Sequence, residues 1–124
     1  MTKIAILIPC YNEEAAIPSV VKDFQKTLPD AEIYVYDNNS TDNTTDAAKK
    51  AGAIVRFEPL QGIGNVVRRM FSDIDADIYL MIDGDGSYDI PSAPMMIDLL
   101  KNNQLDMVVG TRDDSKGVHR TGHA

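Results

Sequence analysis

The sequence predicts an α/β fold, an open and mostly parallel sheet with helices on both faces. Three observations carry that expectation. Short runs such as "KIAILIP" (3–9) and "DIYLMID" (77–83) are apolar at consecutive positions, as strands covered on two sides are. Between these runs apolar residues recur at helical spacing. Acids, glycines and small polar residues collect directly after each run, and right-handed crossovers in such a sheet bring those positions to one rim.

Taken in order, residues 3–9 form the first strand, and Ile17, Val20, Val21, Phe24 and Leu28 then mark a helix. Asn12 is its expected cap, Glu13 and Glu14 suit its positive end, and Pro18 fits only near its start. "EIYVYD" (32–37) is a strand, and "STDNTTDAAKKAG" (40–52) a capped helix closed by Gly52. "AIVRFE" (53–58) is a strand, and a glycine-containing turn "PLQGIG" leads to a helix over 65–72. "DIYLMID" (77–83), a helix over 90–102 and a strand over 106–112 complete five strands and four helices. The tail, 113–124, has no apolar period, so the domain is expected to span 1–112.

Composition bounds the function. The 124 residues, 44% hydrophobic and 25% charged, are enough for one core without disulfides. A net charge of −7 argues against a nucleic-acid partner engaged through a broad basic face. The lone Cys10 suits a reducing compartment, and it reads as a small buried residue because no histidine lies near it in sequence. With no apolar stretch near the roughly 20 residues of a membrane span and no signal-peptide plan, a cytoplasmic location is expected.

The sharpest chemical signal is "MIDGDGSYD" (81–89), where an apolar strand ends in Asp83, Asp85 and Asp89. Three crowded like charges imply a cation among them, and Gly84 and Gly86 permit the tight backbone that brings Asp83 and Asp85 to one side. An EF-hand loop counted from Asp83 fails, with Tyr88 at the sixth position and Pro94 at the twelfth. A hard-cation site with few protein ligands remains, of the kind Mg²⁺ or Mn²⁺ shares with substrate phosphates. Asp37, ending its strand, either contacts a ligand or braces the turn. "GIGNVVRR" is not a dinucleotide fingerprint, since Val67 replaces the third glycine and the segment follows the third strand. Its glycines suit close approach to a ligand, and Arg68 and Arg69 are read as solvent-facing.

With "IPCYNEE" after the first strand, "YDNNSTDNT" after the second and "DGD" after the fourth, the chain resembles glycosyltransferase family 2. The resemblance covers nearly all of the chain and implies the Rossmann-like, A-type nucleotide-sugar-binding fold. The "QGIGNVVR" loop and "VVGTR" resemble the branch that moves a sugar onto a polyprenyl or dolichyl phosphate. By that resemblance Pro9, Tyr11 and Glu13 line the nucleotide pocket and Asp37 hydrogen-bonds the base. Asp83 lies near the ribose or the metal, and Asp85 coordinates the Mg²⁺ or Mn²⁺ that bridges the diphosphate. Arg112 is a phosphate contact, Arg120 a weaker one for the acceptor, and Asp89, which keeps the motif's outline before a proline, a further weak acceptor or phosphate contact. Where the family commonly has Asp and then Gly after the position of Asp37, this chain has Asn38 and Asn39, which leaves base preference open.

The implied activity is transfer of a sugar from a UDP- or GDP-sugar to an acceptor, a lipid phosphate at the cytoplasmic face of a membrane or else a saccharide. Family members carry an acceptor-binding half after the nucleotide half. The 124 residues are therefore expected to be a donor-binding portion with little transfer activity alone. Two rivals stay open at this point. A haloacid-dehalogenase-like phosphatase also ends an apolar strand in Asp-x-Asp-Gly, with Asp83 as its nucleophile, though on its first strand. The other is an inactive nucleotide-binding domain.

Overall fold

The computed structural model describes residues 3–103, 107–110 and 118–121, with side chains as far as Lys101. One sheet runs through it, built from β1 (Ile4–Cys10), β2 (Glu32–Asp37), β3 (Ile54–Phe57), β4 (Ile78–Met81), β5 (Met107–Gly110) and β6 (Val118–Thr121). Four helices, α1 (Ile17–Thr27), α2 (Thr44–Ala51), α3 (Ile63–Asp73) and α4 (Ala93–Asn103), alternate with the strands. The spatial order is β3-β2-β1-β4-β5-β6; the first five strands are parallel and β6 is antiparallel to β5.

β1 is central because both of its faces are apolar. Ile6, Ile8 and Cys10 pack with Ile17, Val20, Val21 and Phe24 of α1, with Ala48 and Ala51 of α2, and with Met96, Ile97 and Leu100 of α4. Ala5 and Leu7 face the other way, with Tyr34, Tyr36, Val66, Met70 and Ile74. Helices thus cover both faces, as the two-sided apolar runs require. Burying a side chain such as Phe24 or Leu7 completely contributes about 1.5–3 kcal/mol, so this double layer dominates stability.

The structure departs from the sequence reading at four element ends. The helix expected from Asn12 begins at Ile17 after Ala16, with no side-chain cap; Asn12 sits instead at φ 55° in the preceding loop. α2 begins at Thr44 rather than near Ser40, because Asp42 accepts hydrogen bonds from the backbone N–H and hydroxyl of Thr44 and so makes its turn first. α3 opens two residues earlier than its apolar period implies, directly after Gly62 at φ 122°. Within the segment 113–124, residues Val118–Thr121 form β6, with Arg120 opposite Val108, so the sheet does not end at 112. A short edge strand needs no apolar run of its own when its ladder bonds come from β5. Gly52 closes α2 in the left-handed conformation at φ 106°, as expected of a C-terminal glycine.

After β1 the chain moves outward to β2 and β3, then returns to the opposite side of β1 at β4. This reversal leaves a crevice beyond the carboxyl ends of β1 and β4, where open α/β sheets bind ligands. Among the described residues, no helix is long and apolar enough to cross a membrane.

Candidate functional site

A cleft of about 370 Å³ opens at that crevice. Its walls come from four segments: Pro9, Tyr11 and Glu13 from the end of β1, Asn38 after β2, Gln61 to Ile63 with Val66 at the start of α3, and Asp83, Gly84 and Asp85 after β4. Tyr11 is half exposed and offers an aromatic face.

The loops after β1 and β2 are stitched together. Asn12 N–H donates to Ser40 Oγ (2.8 Å) and its Oδ1 accepts from Thr41 N–H (2.7 Å), while Glu13 N–H donates to Thr44 Oγ1 (2.9 Å). Glu14 binds across the same seam, its N–H to Asp42 and its Oε1 from Asn43 N–H. Ser40, Thr41 and Asp42 therefore serve inter-loop bracing as well as the turn into α2. The Thr44 hydroxyl holds the Asp42 carboxyl below the usual carboxylate range, with the neighbouring backbone N–H groups adding to the effect.

The Asp83–Asp85 turn is set by packing beneath it. Gly84 is buried, and a Cβ built on it would lie 2.5 Å from Cys10 Sγ and 3.3 Å from Ile8 Cγ2, so only glycine fits without displacement. Cys10 is itself buried, and burial together with Glu13, Asp37, Asp42 and Asp83 pushes its thiol far above the ordinary range. This is an inert packing residue. Asp83 is exposed, and Asp85 Oδ1 accepts from Ser87 N–H (2.9 Å) and Ser87 Oγ (2.6 Å), which orients the carboxylate.

Asp89 does not join the other two aspartates. Its Oδ2 accepts from Ser92 Oγ (2.6 Å) at the start of a 3-10 turn (Ile90–Ser92), beside a separate hollow with Ala16, Ser19 and Tyr88. Among the described residues, no group of three or more His, Cys, Asp or Glu side chains is placed to hold a metal. The expected crowding of three aspartates is thus relieved by geometry, and only the Asp83–Asp85 pair opens on the cleft.

Asp37 is buried (4% exposed) and is not a lining residue; its Oδ1 has no hydrogen-bond partner. Arg112 lies outside the described residues, and of Arg120 only the backbone in β6 is described. Arg69 is not the free surface charge expected of it. It pairs with Glu58, whose carboxylate is almost fully buried, and the guanidinium holds that carboxyl below the usual range.

The family model for glycosyl transferase family 2 matches residues 5–123. The chain belongs to that family. It is 60% identical over 122 residues to protein RfbJ of Shigella flexneri, covering 97% of this chain and 95% of RfbJ. It is 32% identical to the dolichyl-phosphate hexose transferase of Haloferax volcanii, covering 88% of this chain and 47% of that protein. Among solved structures, a glucosyl-3-phosphoglycerate synthase of Mycobacterium tuberculosis in complex with Mn²⁺, UDP-glucose and phosphoglyceric acid superposes with a TM-score of 0.71 at 25% identity, over 84% of this chain and 41% of that one. The chain thus spans about half or less of the length of these last two proteins. Membership of the family removes the phosphatase alternative.

In this glycosyltransferase family 2 domain the donor set fits a divalent cation. Two carboxylates separated by one glycine, both on the cleft, are hard oxygen ligands that leave coordination positions for water and phosphate. Asn38, Gln61, Ile63 and Val66 were not among the site residues expected from the sequence. Gln61 and Ile63 flank Gly62, whose freedom for close approach to a ligand is the sequence signal for this wall. Val66 lies at a core position of α3, and nothing local distinguishes it.

Proposed function

We propose that this chain is the donor-binding domain of a metal-dependent glycosyltransferase that moves a sugar from a UDP- or GDP-sugar onto a polyprenyl or dolichyl phosphate. The observation that carries the reading is the convergence of Pro9, Tyr11, Glu13, Asp83 and Asp85 on one cleft at the strand-order reversal. Pro9, Tyr11 and Glu13 would bind the nucleoside, whereas Asp37, buried and off the cleft lining, would reach the base only after its side chain rearranges.

Asp83 and Asp85 would hold Mg²⁺ or Mn²⁺, with Ser87 fixing the aim of Asp85. When bound, such an ion supplies charge neutralisation for a departing nucleoside diphosphate. A phosphate acceptor is already anionic and needs no strong base from the chain. Its support is the likeness to a relative named for dolichyl phosphate, and Arg112 and Arg120 are the proposed phosphate contacts. A lipid acceptor would bring the protein to a membrane surface, the cytoplasmic face in this reading.

The test is thermal unfolding with UDP, GDP and their sugars, with and without Mn²⁺, on the wild type and Asp85→Asn. A nucleotide at a hundredfold excess over its Kd adds about 2.7 kcal/mol of stability. That gain is expected only with Mn²⁺ and is lost in Asp85→Asn. Equal stabilisation without metal, or in Asp85→Asn, would overturn the metal role. No stabilisation of the wild type by either nucleotide would overturn the whole reading.

A further inference from the structure

The loop between β3 and α3 supplies the Gln61–Ile63 wall of the cleft, and within it Leu60 N–H donates to Glu58 Oε2 (2.6 Å). Asn38 and Asn39, from the loop after β2, take hold of it residue by residue. Asn38 is buried, and its amide nitrogen donates to the carbonyls of Glu58 (2.8 Å) and Leu60 (2.8 Å). Its Oδ1 accepts from Gly62 N–H (2.9 Å). Asn39, in the left-handed conformation at φ 70°, donates to the carbonyl of Pro59 (2.7 Å) and to Gln61 Oε1 (3.3 Å). Five successive residues, 58 to 62, are thus held alternately by two asparagines.

We propose that Asn38 and Asn39 are positioning residues that clamp the β3–α3 loop and so set nucleotide affinity and the choice between bases. This rests on the donor-binding reading above and gives a purpose to the two positions where the chain departs from its family's common Asp-Gly. The chemistry requires amides. An aspartate at 38 would aim carboxylate oxygens at two carbonyls where hydrogen-bond donors now stand, and a glycine at 39 would keep the left-handed turn but release Pro59 and Gln61. Asn39 is not a lining residue of the cleft, so any effect of changing it on nucleotide binding acts through the loop.

The experiment is calorimetric titration of UDP and GDP in saturating Mn²⁺ against the wild type, Asn38→Asp and Asn39→Gly. Asn38→Asp is expected to weaken the preferred nucleotide about tenfold and Asn39→Gly about threefold. The ratio of the UDP and GDP dissociation constants is expected to move by threefold or more in both variants. A general loss of fold would weaken both nucleotides equally and leave that ratio unchanged. If both folded variants keep wild-type affinities and ratio, the clamp is overturned while the donor-binding reading stands. If Asn38→Asp does not fold, Asn39→Gly alone decides. Failure of the wild type to bind either nucleotide strikes the donor-binding reading instead.

Discussion

Two of the loops that line the cleft are held in opposite ways. The Asp83–Gly86 turn after β4 carries its chemistry in its own side chains and is fixed from below, where Gly84 fits over Cys10. The Glu58–Gly62 loop after β3 presents little charge to the cleft and is fixed from outside by Asn38, Asn39 and the Glu58–Arg69 pair. Steric fit over a buried thiol tolerates almost no substitution. A web of side-chain to backbone hydrogen bonds, each contributing about 0.5–1.5 kcal/mol, degrades in steps.

The largest expected effect probes the floor under the first loop. Cys10 is buried, 3% exposed, with a strongly raised thiol pKa, so it is expected to react with a thiol reagent at pH 8 at least ~100-fold more slowly in the native chain than in urea, since the thiolate is the reactive form. Mass spectrometry of alkylation against time measures this. Rapid native labelling would mean that the turn lifts from β1. Next in size, Gly84→Ala is expected to destabilise by about 1–3 kcal/mol, the usual cost of overpacking, as read by urea unfolding. Cys10→Ala removes the nearest clash, and the double variant is expected to recover part of the loss. Strict additivity would show that the Cys10 contact is not what demands glycine.

The same contrast governs what the sequence reveals. β1 is legible because each of its faces meets a helix layer, which forces consecutive apolar residues. The Asp83–Asp85 pair is legible because charge at the end of an apolar strand is unusual wherever it occurs. Asp89 is misleading for the same reason: charge is visible in a sequence, whereas the Ser92 hydroxyl that occupies it depends on a local turn. The β3–α3 loop is not legible, since its organisers lie 20 or more residues away on another loop. Arg69 lies eleven residues beyond Glu58, and periodicity on α3 assigns it to solvent. Asn38 and Asn39 stand out only as a departure from a family pattern, a signal that something differs without saying what.

The smallest expected effect concerns the outer half of the second loop's support. Glu58 is held below the ordinary carboxylate range by Arg69 first and by the Leu60 N–H second. Its folded pKa is depressed, so its contribution is present above the unfolded value near 4.3 and disappears as the pH falls through the folded value. Glu58→Gln is therefore expected to lower stability modestly at pH 7, since Arg69 is partly exposed and its ion pair is screened. The gap from wild type should narrow as urea unfolding is repeated from pH 5 downward and close once Glu58 is protonated in both states. A gap that stays constant with pH would mean that the charge of Glu58 contributes nothing to the loop's support.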